Sequence, residues 1–403
     1  MLCYCQTSSA LIFDRRYDGD KNLSYFGYPI AGSIPNVQEF YGAGVTVSGL
    51  AGSETDITLL RLTGDAKQFD NKDFNMHIFI LTDLPVYQNY LTLSHYYLDI
   101  ENIGVAKGQR GINSDKDKFR YFLANNTLIN YTELSLNFYD YQIEFYYAIA
   151  SAKTDPYGIV DENDVFFKLN TSDLNSGKTP SGYRAGIIID DTDHRRDPQI
   201  GYRFQWERYN LPSSSPDTSA FYQDDFNTTG YIPLSPDKIL VLNHFFSKAT
   251  VTKEGIVDIN QYQCGNQVDC DQSILDELYQ QRVADAKYGQ ATTLGGTNRL
   301  RGYPSFRFYD TYSNFFGAEL RWYTMQNETP FNWVIMKDVF TSLQFAFFYE
   351  TGTVAAESSQ LFNHFRQSYG IGARAVLKSL IIRTDLGFSD EGSEFVFFVG
   401  YPF

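Results

Sequence analysis

From Phe315 to Thr324 the side chains alternate strictly, with Phe316, Ala318, Leu320 and Trp322 on one face and Gly317, Glu319, Arg321 and Tyr323 on the other. A period of two is a strand. The same pattern puts Leu343, Phe345, Phe347 and Tyr349 opposite Ser342, Gln344, Ala346, Glu350 and Gly352, and Leu380, Ile382, Leu386 and Phe388 opposite Arg383 and Asp385. At the end of the chain Phe395, Phe397, Val399, Tyr401 and Phe403 share one face. No apolar run reaches the roughly eighteen residues of a transmembrane helix. The mean hydropathy of -0.33 is still compatible with membrane residence, because alternating segments average out to polar.

Periodicity does not say which face is wet. A soluble sandwich would turn the apolar faces inward. A transmembrane barrel turns them to lipid, keeps the charged faces in the lumen and places aromatic girdles at both interfaces, and the aromatic content of 17% suits that arrangement. The expected fold is an all-β, transmembrane, antiparallel barrel of about sixteen strands. In the first half the candidates are 44–50, 56–65, 75–83, 90–99, 118–125, 131–138, 141–150 and 182–190. In the second half they are 201–209, 219–233, 238–248, 314–324, 340–353, 368–377, 380–388 and 395–403. Short turns (235–238, 377–379) alternate with long connections, the asymmetry of outer-membrane barrels. Residues 1–40 read as an N-terminal segment, a remnant of a signal region or a plug, and 41–403 as the barrel. The first residues, MLCYCQTSSALIF, lack a basic n-region and a long apolar core, so a signal is expected to be missing from the start or already removed. Cys3 and Cys5 do not form a convincing lipoprotein box. The longest connection, 249–313, holds a helical pattern over 271–289 with Gly289 just past its end.

A net charge of -15 opposes nucleic acid as a partner. Cys264 and Cys270 lie in a hydrophilic loop, where a local disulfide suits an oxidising compartment, with a reduced pair or weak metal ligands left open. The run Asp190, Asp191, Asp193, His194, Asp197 reads as a turn, since the distal bidentate glutamate of a calcium loop is missing. No metal is expected. His77, His95, His244 and His364 have no serine motif nearby, and no phosphate-cradling glycine loop or nucleophile elbow occurs, so neither enzyme chemistry nor a cofactor is expected.

Within the longest connection, Arg301-Gly302-Tyr303 follows Gly295 and Gly296. Glycines here favour turns and close backbone approach, and the permanently charged guanidinium wants a carboxylate. The segment GGTNRLRGY (295–303) resembles the sixth loop of the outer-membrane assembly and translocator barrels, the bacterial surface antigen family that includes protein insertases and two-partner-secretion translocators. FFYETGTV (347–354) resembles the strand motif that meets this loop tip. DDTDHRRDPQIGYRF (190–204), with Asp190, Asp193, Arg196, Asp197, Pro198 and Gly201, resembles the family's mid-barrel turn, and the terminal Tyr401 and Phe403 resemble its insertion signal. Glu350 stands where the family usually has aspartate, Asp193 is displaced by one position, and Pro402 interrupts the terminal signal.

The resemblance implies that Arg301 pairs with Glu350, beside Gly352, with Asp385 as a second partner. It implies insertion or translocation of protein, or of lipid, at the outer membrane, with outer-membrane lipids and a client polypeptide as partners. Nothing in the sequence resembles the family's periplasmic client-receiving repeats, so a separate periplasmic protein or lipoprotein is the expected substitute. A seam is expected between a first strand at Gly44–Leu50 and the last at Phe395–Phe403, weakened by Gly44, Gly49, Gly392 and Gly400. The alternative reading is a solute pore or structural platform without client handling.

Overall fold

A computed structural model describes residues 22–34, 38–65, 73–116, 120–160, 166–168, 181–213, 216, 218–264, 272–326, 329–339, 341–378 and 380–403. Its strands are β1 (Ser24–Ile34), β2 (Gln38–Ser48), β3 (Asp56–Asp65), β4 (Asp73–Tyr87), β5 (Leu91–Lys107), β6 (Arg120–Phe138) and β7 (Ile143–Val160). They continue as β8 (Phe166–Lys168), β9 (Ser181–Thr192), β10 (Gly201–Leu211), β11 (Ala220–Ser235), β12 (Lys238–Lys253) and β13 (Tyr312–Gln326). The last are β14 (Phe331–Trp333), β15 (Met336–Val339), β16 (Thr341–Ala355), β17 (Arg366–Leu377), β18 (Leu380–Phe388) and β19 (Ser393–Val399). Setting aside the short β8, β14 and β15, sixteen long strands remain of the nineteen, each antiparallel to the next. Strand length is uneven around the wall: β6 has 19 residues, β18 nine and β19 seven.

The apolar faces point outward. Phe345 and Phe347 are each 50% exposed, while Gln344 and Ala346 on the other face are 1% exposed. Inside lie polar side chains such as Ser94, Asn137, Glu144, Asn243 and Gln344, the reverse of a soluble core.

The first and last strands differ from the sequence expectation. The first is Ser24–Ile34, so Gln38–Ser48 is the second, and the barrel starts upstream of residue 41. Gly27, Pro29 and Gly32 obscure β1 in the sequence, yet an edge tolerates them. Gly44 therefore sits inside the wall opposite Tyr28, whose ring occupies the place of a Cβ (2.6 Å from the ideal position), and Gly49 (φ 70°) lies in the turn after β2. The expected segments 118–125, described from Arg120 onward, and 131–138 belong to one strand, β6. The Asn125-Asn126 pair marks a break of register with β7 and not a turn. The last strand stops at Val399, and Gly400 (φ 99°) turns Tyr401 and Phe403 into the lumen, away from the face of Phe395.

Among the described residues no backbone ladder joins β19 to β1. The two ends meet through side chains. Leu380 and Ile382, on the face of β18 opposite Arg383 and Asp385, gather with Phe397 into one cluster with Phe26, Tyr28 and Ile30 of β1. Part of the free edge of β1 is taken by β15, through Tyr25 with Lys337 and Phe26 with Met336.

Candidate functional site

The connection from β12 to β13 folds back into the barrel. After a short 3-10 turn at Ile259–Tyr262 it forms α1 (Gln272–Tyr288), which ends at Gly289 (φ 66°), where the left-handed backbone favours glycine. Gln281 of α1 donates to the Gly108 carbonyl at 3.0 Å, and Arg110 pairs with Asp285 (3.0 Å) and Asp310 (2.6 Å), fixing the helix over the loop between β5 and β6. Cys264 is disulfide-bonded; Cys270 lies outside the described residues.

The chain then returns through 294–308, clamped by the paired backbones of Leu294 and Phe308. At the tip Gly296 donates to Tyr303 (3.0 Å) and Tyr303 to Leu300 (3.0 Å). Gly302 lies directly on β18, where a Cβ would come within 2.5 Å of the Phe388 carbonyl oxygen. The close approach demanded of this glycine thus has a specific partner.

It delivers a fully buried guanidinium. Arg301 donates its amide to Glu350 Oε2 and its Nε to Glu350 Oε1, both at 2.7 Å. Its Nη1 donates to Glu319 Oε2 (2.9 Å) and Asp385 Oδ2 (2.8 Å). The plane lies over the Phe348 ring, 3.6 Å from its centroid. Glu319 also accepts from Arg321 (2.8 Å) and Arg374 (2.7 Å), and Asp385 from Arg383 (2.8 Å). Every side chain in these pairs is at 0% exposure. In so dry a place a lone charge would be prohibitive, and the forked geometry of arginine lets one side chain serve three carboxylates. Gly352, on the same strand as Glu350, leaves room for Leu294 and Leu300 of the loop, both within 3.3 Å of where its Cβ would be.

Of these, Glu319, Arg321, Phe348, Arg374 and Arg383 were not singled out from the sequence as part of the site. The available signal was the isolated charge on the polar face of a strand, as at Glu319 and Arg321. Nearer the long-loop end, Arg307 forks onto Glu391 (2.7 and 2.8 Å), and the Tyr303 hydroxyl bonds Asp390. Burial pushes the Asp390 carboxyl up, but the Tyr303 hydroxyl and the Arg366 guanidinium outweigh it and hold the group below the ordinary aspartate range.

At the opposite end the turn between β9 and β10 crosses the mouth. Asp193 accepts the amides of Gln199 (2.8 Å) and Ile200 (3.1 Å), and His194 Nδ1 accepts that of Asp197 (2.8 Å), so both act within the turn. Gly201 (φ 112°) starts β10 where a Cβ would strike the Asp191 carbonyl at 2.0 Å. Pro198 stands between these two points. On one side Arg195 reaches Asp83 (2.8 Å), Arg196 reaches Asp56 (2.8 Å) and Arg203 reaches Asp190 (2.7 Å). On the other, Asp197 Oδ1 accepts from Tyr323 (2.7 Å) and Tyr401 (2.5 Å). The turn thus ties β3 and β4 to β13 and to the chain end. Phe403 in turn lies 5.8 Å from the Arg301 guanidinium, and its carbonyl accepts from Arg321 at 3.3 Å. His95 bonds Thr132 and His244 bonds Asn314, each at 2.9 Å.

No curated protein sequence matches the chain. In fold it is similar to CdiB from Escherichia coli, at 9% identity and a TM-score of 0.55 over 94% of this chain and 62% of that one. It is likewise similar to CdiB from Acinetobacter baumannii, at 12% identity and 0.50 over 94% and 60%. A structure of BamA from Haemophilus ducreyi lacking POTRA domains 1-3 aligns at 13% identity and 0.46, over 93% and 68%. The chain spans about three fifths of the length of the two CdiB structures. Residues 105–403, about three quarters of the sequence, match the Omp85 superfamily domain. The chain therefore belongs to the Omp85 superfamily, as a non-enzymatic barrel integral to the outer membrane.

Proposed function

We propose that this barrel handles polypeptide at the outer membrane, inserting or translocating client chains through the seam between β1 and β19, with the Arg301 loop holding the lumen in its working shape. The observation that carries the reading is the seam itself. A barrel in lipid ordinarily closes its ladder completely, because unpaired backbone groups there are costly. Here the edges of β1 and β19 share no ladder among the described residues, so separating them breaks side-chain packing and no row of backbone hydrogen bonds. The seam lies one strand upstream of the place expected from the sequence, and Gly400 serves it by turning the chain end inward.

The lumen contents speak against a plain solute pore: the loop tip fills one end and the 193–200 turn crosses the other. Depletion of the protein in its native cell, followed by quantitative proteomics of the outer membrane, tests the reading. Loss of many barrels is the expected outcome for an insertase, and loss of one or a few surface proteins for a dedicated translocator. An unchanged outer membrane, joined to steady ion conductance of the purified protein that survives loss of the loop tip, would overturn it in favour of a pore.

A further inference from the structure

The amide of Gly27 donates to the Ile335 carbonyl at 3.0 Å, so the backbone of Gly27 points to the seam. Strand alternation puts Tyr25, Pro29, Ala31 and Ser33 on the same edge. Pro29 has no N–H to offer there, which suits a strand whose edge is not built into a permanent ladder. The hairpin of β14 and β15 takes only the beginning of this edge. It comes from the connection between β13 and β16, and must reach past β17, β18 and β19 to arrive.

Its hold on β1 is slight. Two residue pairs join β15 to β1, against eleven pairs between β1 and β2, so the hairpin is far easier to remove than the neighbouring strand. It is also two-faced. Val339 is fully buried and, with Met336, joins the cluster containing Phe26. Phe331, Trp333, Val334 and Ile335 are 44%, 61%, 83% and 47% exposed, an apolar tip at the rim where aromatic side chains favour the membrane interface. Such a segment keeps its place in the membrane whether or not it is paired.

We propose that residues 331–339 are a resident strand that occupies the start of the β1 edge and must be displaced before a client strand can pair there, making the seam self-inhibited. The proposal rests on the client-handling function above. It predicts that the hairpin competes with an incoming strand for the same backbone groups of Tyr25 to Gly27.

The test is a double variant of the full-length protein, Tyr25→Cys with Lys337→Cys, whose disulfide would pin the hairpin. It is expressed in cells depleted of the wild-type copy, with and without a membrane-permeant reductant. The expected result is a barrel of normal abundance and heat-modifiable mobility that fails to restore the depleted outer-membrane proteins until reduced. Full restoration by the oxidised variant overturns the resident-strand proposal while leaving client handling intact, since the wild type restores them too. If depletion has no effect, it is the functional reading that fails. A second measurement is independent of cellular clients. The purified full chain in phosphatidylcholine vesicles, carrying a photo-crosslinker at Tyr25, is offered the peptide SEFVFFVGYPF (393–403). Replacing 331–339 by a glycine-serine linker of equal length should raise cross-linking several-fold, and equal cross-linking overturns the proposal. If that variant does not fold, the disulfide decides.

Discussion

Arg301 and Glu350 meet as a fork on both oxygens of one carboxylate, the backbone amide on Oε2 and the side-chain Nε on Oε1. Because one of the two bonds comes from the main chain, the pair fixes the position of the loop as well as the side chain. Around it four guanidiniums, of Arg301, Arg321, Arg374 and Arg383, face three carboxylates, of Glu319, Glu350 and Asp385, leaving a formal excess of one positive charge.

Arg301→Ala leaves Glu350 with the Ser368 hydroxyl and the main-chain amide of residue 301, without its guanidinium partner. Breaking a buried pair from one side costs about 3–5 kcal/mol. Urea unfolding in lipid vesicles should show a loss of that order, and protease should cut within 294–311, where the wild type resists. Arg301→Lys should recover only part of it, because a single ammonium cannot fork onto Glu350 and reach Glu319 and Asp385 as well.

Gly387→Val tests the backbone contact between loop and wall without touching any charge. A Cβ at Gly387 would lie 2.4 Å from the Arg301 carbonyl oxygen, so the tip must move. The expected outcome is an intact barrel by heat-modifiable electrophoresis with a protease-sensitive loop. A loop as resistant as the wild type would show that β18 yields instead.

Asp197→Ala removes the acceptor shared by Tyr323 and Tyr401. Hydrogen bonds to a charged group contribute about 1.5–3 kcal/mol each. Hydrogen exchange at the backbone of Gly400 and Tyr401 is the direct measurement: it should be faster in the variant, and Tyr401→Phe should give an intermediate rate.

The pH dependence follows from Asp390, which lies in the turn between β18 and β19 outside the membrane wall. Its folded carboxyl titrates below the ordinary aspartate value, so it stabilises the folded form above that value and the contribution disappears as pH falls through the depressed one. The protection of amides in 300–308, taken relative to their intrinsic exchange rate at each pH, should fall on going from neutral to strongly acidic pH, and Asp390→Asn should flatten that response.

Where one face of a strand is apolar and the other charged, as at Phe316 to Tyr323, the alternation told the strand, and the barrel reading was needed to say which side faces the lumen. The partnership of Arg301 with Glu350 came from the resemblance, whose loop and strand motifs are each local enough to be matched. The contributions of Arg374 and Arg383 were not, because they arise from β17 and β18 stacking their inward charges at the same height as the tip. The first strand was lost for a different reason. Alternation is read from side chains, whereas β1 is defined by its backbone edge, and Gly27, Pro29 and Gly32 dilute the pattern. The inward turn at Gly400 broke an alternation that otherwise runs on to Phe403, and a single left-handed residue decides it. Phe348 was overlooked because an aromatic on a polar face looks like noise until an arginine lies on it.

The unequal strands give this wall a sloping rim. At roughly 3.3 Å per residue, the 19 residues of β6 run on the order of 60 Å and the seven of β19 roughly 23 Å. Arg110, in the loop joining β5 to β6, braces α1, so the lid rests on the tall side. Beside the seam the parapet is at its lowest, so a client taking the proposed route would cross the wall where it is shortest, sideways and not over the top.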